Sequence, residues 1–140
     1  MEAVNSRLAV YNKNTGALLF GPTNINTLFA GFGGLCQTTN RGDPVVLYDH
    51  LADRWFITQF AFATDVNGDP VAPFFQCFAI SQTGDPTGSY CRYGFQHSAT
   101  LFNDYGKFGV WPDAYYATYN EFSGNTFVSQ GVVAYDRTKM

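Results

Sequence analysis

Apolar residues in this chain come in short runs separated by turn-forming residues, and one such passage is written twice. Asp43-Pro44-Val45-Val46-Leu47-Tyr48-Asp49-His50-Leu51-Ala52-Asp53-Arg54-Trp55-Phe56-Ile57-Thr58-Gln59-Phe60 is echoed between Asp104 and Phe122. Within the echo, Asp53-Arg54-Trp55-Phe56-Ile57-Thr58 aligns with Asp113-Ala114-Tyr115-Tyr116-Ala117-Thr118, 60 residues further on. An apolar run precedes each copy, Val45 to Leu47 and Phe108 to Trp111. A repeat of this period points to a series of similar supersecondary units and outranks each local signal.

A second unit surrounds the first. Arg7 to Tyr11 reads as a strand, Asn12-Lys13-Asn14-Thr15-Gly16 as a turn of residues that tolerate left-handed backbone, and Ala17 to Phe20 as the returning strand. The same wording recurs at Cys77 to Ile80, with a turn over Ser81 to Gly88 and a return over Ser89 to Tyr93, and begins again at Val132 to Arg137. Between the copies, Asp43 to Tyr48, Arg54 to Ala63, Phe74 to Ile80 and Tyr90 to Phe95 read as four consecutive antiparallel strands. Asn67-Gly68 gives the strongest hairpin signal among their turns. The pattern predicts nine strands, two, then four, then three, in one all-β domain over 1–140. Its parts are a half unit at 7–22, a full four-stranded unit at 43–96 and an incomplete unit at 104–137.

Four-stranded antiparallel units repeated in this way are the blades of a β-propeller, which usually has roughly 4–8 of them. Three stretches of the chain resemble a group of bacterial propeller proteins of uncharacterised function, most of them much longer. The first runs from Gly42 to Asp49, with Asp53-Arg54-Trp55 after it; the second runs from Ser81 to Tyr90; the third comprises Asn103-Asp104-Tyr105 and Lys107 to Tyr115. The resemblance spans nearly the whole chain and implies a fold rather than an activity. Gly106 departs from it, standing where the pattern has a proline before the lysine. With about two blades the ring cannot close, so apolar faces and sheet edges demand partners. The chain is then a piece of a longer polypeptide, or copies of it assemble, the start of one completing the last blade of another. Such a contact is heterologous and closes into a dimer or trimer.

Composition agrees with an all-β fold: aromatic residues make up 18% and charged residues only 14%, against about 25% charged in an average domain. A net charge of −3 from scattered basic residues offers no face to neutralise phosphates, so nucleic acid is not an expected partner. No apolar run is long enough to span a bilayer, and the first residues lack the parts of a secretion signal. The chain as given reads as cytoplasmic, while longer proteins of the group are candidates for export. Cys36, Cys77 and Cys91 cannot all pair with one another. Buried reduced thiols are the first expectation. The alternatives are a Cys77–Cys91 bond across one hairpin, the two being symmetric about Gly84, and a Cys36–Cys77 bond tying a long loop to a strand.

Candidate chemistry is sparse. Asp65, Asn67 and Asp69 alternate as at the start of a calcium loop, but Gly68 falls at the fourth position rather than the sixth and Gln76 at the twelfth; a hairpin turn is expected, and no metal or cofactor. Asp53 and Asp113 sit at matching positions beside Trp55 and Tyr115. As turn residues they would accept backbone N–H bonds; as a catalytic pair they would need two unlike environments, which repeated positions do not supply. Asp43, His50, Asn103, Asp104, Tyr105, Lys107 and Trp111 fall at or beside the starts of innermost strands, where a propeller's channel rim would bind a ligand such as a sugar ring. No serine triad or phosphate loop is present, and Gly31-Phe32-Gly33-Gly34 reads as a flexible crossing between units. The expectation is a non-catalytic module that binds or self-associates. The alternative is a carbohydrate-active propeller, a sugar binder or a hydrolase using Asp53, Asp104 or Asp113.

Overall fold

A computed structural model describes residues 1–140. It is an all-β molecule of three antiparallel sheets. The first holds β1 (Glu2–Val4), β2 (Arg7–Tyr11) and β3 (Leu18–Asn24). A 3-10 turn, Ile25–Phe29, and the short helix α1 (Gly34–Thr38) lead to the central sheet of β4 (Val45–Asp49), β5 (Arg54–Thr64), β6 (Pro70–Ser81) and β7 (Tyr90–Ser98). The last sheet holds β8 (Phe102–Val110), β9 (Ala114–Ser123) and β10 (Thr126–Asp136), and a second 3-10 turn, Arg137–Lys139, follows. Strands adjacent in sequence are adjacent in space within every sheet.

The central sheet is a filling between the other two. Successive side chains of a strand point to opposite faces, and β5 is apolar on both. Ile57 and Ala61, with Cys77 and Ala79 of β6, pack against Leu8, Ile25, Phe29 and Cys36 on the first-sheet side. Phe56, with Phe78 and Ile80, packs against Tyr115, Ala117, Tyr119 and Tyr135 of the last sheet. Phe60, Phe62 and Phe74 meet Phe102 nearby. Burying each of the Leu, Ile and Phe side chains is worth roughly 1.5–3 kcal/mol, so a sheet covered twice carries most of the apolar gain. The free edges β1, β4 and β8 lie side by side, β4 packing against β1 on one flank and β8 on the other.

Several expectations are corrected. There are ten strands rather than nine: Glu2–Val4 adds a strand on β2 through an Asn5-Ser6 turn in which Asn5 has φ 51°. It is too short to show a period in the sequence. The stretch 31–34 is not simply a flexible crossing, because Gly34 begins α1. The thiols are not all reduced: Cys36 is bonded to Cys77, and Cys91 is free. The hairpin alternative fails because the eight-residue connection between β6 and β7 sets Cys77 opposite Gly94 and Cys91 opposite Ile80. Gly106, the departure from the propeller pattern, is explained by packing. A Cβ there would lie 2.8 Å from the Phe108 ring and 2.9 Å from that of Tyr119. Gly42 is likewise required, with φ 94° and a Cβ position 2.6 Å from the Asn5 carbonyl oxygen.

The disulfide fixes α1 onto β6 across a sequence separation of 41. Closing a loop of that size removes unfolded-state entropy worth about 4 kcal/mol. The double variant Cys36→Ala/Cys77→Ala is therefore expected to lose about that much stability in a urea titration, and an unchanged midpoint would show that the bond contributes nothing.

Candidate functional site

The structure scatters the sequence-predicted residues over four places. At the β4–β5 turn, Tyr48 stacks edge-on with His50 and lies against Trp55, each pair of ring centroids 5.1 Å apart. The Tyr48 hydroxyl donates to Asp53, and Trp55 Nε1 donates to the Gly84 carbonyl at 3.0 Å. The Asp53 carboxylate, at a residue with φ 55°, is thus held by a tyrosine and covered by the loop at Gly84. Asp113, at the corresponding β8–β9 turn, accepts from the Tyr116 hydroxyl at 3.0 Å. Neither carboxylate accepts the turn N–H bonds expected of it. Trp111 is 65% exposed, and its backbone closes that second turn through a 3.0 Å bond to Ala114.

The turn-capping carboxylate is instead Asp49, which sequence reasoning passed over. It is completely buried. Its Oδ1 accepts from the N–H groups of Leu51 and Ala52 at 2.9 and 3.1 Å, and from Arg137 Nη2 at 3.1 Å. Its Oδ2 accepts from the Tyr115 hydroxyl at 2.8 Å and Arg137 Nε at 2.6 Å. Burial on its own would push this carboxyl up, but the bonds from Arg137, Tyr115 and the turn outweigh it and hold the group below the usual carboxylate range. Tyr115 is pushed well above the ordinary phenol, by burial first and Asp49 second. With every acceptor position taken, Asp49 locks the central sheet to the last one and is not available as an acid or base.

Along the adjoining edges β4 and β8, Asp43, Tyr105 and Lys107 do come together, around a hollow of about 240 Å³ that Asn5 also lines. Asp43 and Tyr105 both have left-handed backbone, φ 44° and 51°. Tyr105 does so in a bulge between Asp104 and Lys107. The Lys107 ammonium lies 3.7 Å from the Tyr105 ring centroid, so one face of that ring is already covered. Asp104 lies in another hollow of about 310 Å³, with Asp69 and the rings of Phe74, Phe102 and Phe122. Asn103 is buried and donates to Gln76 Oε1 at 2.9 Å; Gln76 donates to Thr58 Oγ1 at 2.6 Å, a polar chain that pins the last sheet to the central one. The Asp65 carboxylate accepts from the N–H groups of Asn67 and Asp69 at 2.8 and 2.9 Å, the bonding of a hairpin turn.

A further hollow, of about 680 Å³, contains none of the predicted residues. It runs between β7 and β10, with Tyr93, Phe95 and His97 on one side and Gly131 to Asp136 on the other. His97 Nε2 lies 2.9 Å from Glu121 Oε1, and Ser129 Oγ donates to Glu121 Oε2 at 2.7 Å. Glu121 is held below its ordinary value, first by Ser129 and then, against the opposing effect of burial, by His97. The Tyr119 and Tyr135 hydroxyls meet at 3.0 Å, and burial pushes both phenols up. Only alternation along Tyr93, Phe95 and His97 hinted at this groove in the sequence. Comparison with protein-family models, with curated proteins and with solved structures found no match to the chain.

Breaking the Asp49 lock is expected to be costly. Arg137→Met leaves a buried carboxylate without its cation and should lose about 3–5 kcal/mol in chemical denaturation; a loss inside experimental error would show the pair to be incidental. Asp49 has a depressed native pKa, so its contribution is complete above the unfolded value of about 4. It is lost as pH falls through the lower native value. Asp49→Asn should flatten that acid limb of the stability curve, and limbs of equal slope would contradict the assignment.

Proposed function

We propose that the chain is a non-catalytic β-propeller segment related to the bacterial group that it resembles, acting as an assembly module through self-association. In this reading the three sheets are successive blades. The side-by-side order of the edges β1, β4 and β8 supports a common inner axis. The pairing of Tyr48 with Trp55 in one sheet and of Val110 with Tyr115 in the next supports the repeat. Three sheets per chain rather than about two blades change the arithmetic: two copies supply six, inside the usual range of roughly 4–8, and three copies would exceed it. A dimer is the expected ring.

The observation that carries this reading is what a single copy leaves in water. Leu18, Leu19 and Phe20 are exposed on the first sheet, and Phe127 and Val128 on the last, each of the latter two at 52%. Apolar residues left open on both the first and the last sheet fit a contact between copies. The carbohydrate alternative has less behind it, because Lys107 covers the Tyr105 platform and Asp53, Asp104 and Asp113 stand in three separate surroundings.

Light scattering on the chromatographed protein at micromolar concentration should give twice the chain mass. Leu19→Asp and Val128→Asp, on the first and the last sheet, should each reduce it to one. A wild-type monomer under those conditions would sink the proposal.

A further inference from the structure

The hollow of about 310 Å³ between the central and last sheets is walled by two hairpins from the interior of the chain. The turn between β5 and β6 brings Asp69 to it, and the turn between β9 and β10 brings Asn125. Phe74, Phe102 and Phe122 form the apolar wall, with the ring centroids of Phe74 and Phe102 5.4 Å apart and Phe102 paired with Phe122 across β8 and β9. Asp104 lies two positions along β8 from Phe102, on the same face of the strand, and lines the hollow with it.

The two carboxylates differ from most others in the chain. Asp49 and Asp65 are engaged by turn N–H groups, Asp53 and Asp113 by tyrosine hydroxyls, Asp85 by Thr87, and Asp136 by Thr138 and Lys139. Asp69 and Asp104 belong to none of the ion pairs, and no basic side chain lines the hollow. The main chain of Asp69 is nevertheless fixed from both sides: its N–H donates to Asp65 Oδ1 at 2.9 Å, and its carbonyl accepts from the Asp65 N–H at 3.0 Å. The carboxylate is therefore carried by a closed turn while remaining uncompensated.

The neighbouring rings already hold a cation on their far side. The Arg41 guanidinium lies 5.2 Å from the Phe62 ring centroid, and that ring is 5.1 Å from Phe102. Phenyl faces are electron-rich and attract positive charge. On the side of the hollow the chain supplies no such cation.

Uncompensated carboxylates against phenylalanine rings select one ligand chemistry. A neutral apolar molecule would take water from the carboxylates and give nothing back. A calcium ion needs roughly six to eight oxygen ligands, more than two aspartates and an asparagine among rings can offer. An ammonium group on an apolar body suits both walls. We propose that this hollow binds a small organic cation, an alkyl- or arylalkylammonium, with its charge towards Asp69 and Asp104 and its body on Phe74, Phe102 and Phe122. The volume stands at the lower end of the range for ligand pockets, roughly 300–1,000 Å³, and restricts the ligand to a small molecule. The site does not rest on the assembly reading, which uses other residues.

The test is a titration of nitrogen-15-labelled protein with 2-phenylethylammonium chloride, with 2-phenylethanol as the uncharged counterpart and calcium chloride as the inorganic cation. Saturable shifts are expected at the amides of Asp69, Asp104, Gly124 and Asn125 at about millimolar ammonium, and the alcohol should bind at least about tenfold more weakly. The double variant Asp69→Asn/Asp104→Asn breaks no ion pair, so it should keep the folded spectrum and lose about tenfold in affinity. Absence of shifts at about ten millimolar ammonium, equal binding of the alcohol, shifts confined to other parts of the chain, or tighter binding of calcium at the same amides would each overturn the proposal. So would a folded double variant of unchanged affinity. Binding by a monomer keeps this site and removes the assembly reading; a dimer that ignores the ammonium does the reverse.

Discussion

The constraint on which everything else rests is that β5 and β6 are buried on both faces. A sheet with one apolar face needs one partner layer; a sheet with two needs two. Phe56 and Phe78 look one way, and Ile57 and Ala79 the other. Neither outer sheet has this property. Each uses one face for the centre and turns a mixed face, with exposed leucine, valine and aromatic residues, to solvent. The asymmetry between centre and flanks is what makes the molecule coherent by itself and also gives it surfaces suited to further contact.

Apolar burial has no direction, so the angle at which the flanking sheets sit has to come from elsewhere. On the first side a covalent bond does this, Cys36 to Cys77, carrying the segment after β3 onto the central sheet. On the other side it is the ion pair of the fully buried Asp49 with the half-buried Arg137, reinforced by Tyr115 and by the chain of Asn103, Gln76 and Thr58. Buried polar groups of this kind are costly unless fully bonded. Their value here is to fix register between layers that hydrophobic contact alone would let slide.

Strand alternation and turn residues were legible because they are local. The central meander and the turns at Asn12 to Gly16 and Asn67-Gly68 follow from period and composition. Partnership at long range was not. Nothing near Asp49 announces Arg137, 88 residues away, and the choice between the two cysteine pairings depends on a register set by the length of the 82–89 loop. Of the candidate rim residues, Asp43, Tyr105 and Lys107 converge because β4 and β8 are neighbouring sheet edges. His50 and Trp111 do not join them, since each sits at the far end of its strand in a turn. The β7–β10 groove escaped notice because alternation along Tyr93, Phe95 and His97 does not show which strand lies opposite them.

Function in this account follows from geometry left open rather than from a reactive constellation. The best-formed carboxylate site is saturated and buried, and the accessible features are sheet faces, sheet edges and an aromatic groove. The central claim is that double-sided burial of β5 and β6 holds the molecule together, and native-state hydrogen exchange tests it most directly. Amides of both strands should exchange only through global unfolding, on either face alike, while those at the free edges of β3 and β10 exchange through smaller local openings. Fast exchange along β5 or β6, or an outer sheet more protected than the centre, would contradict it.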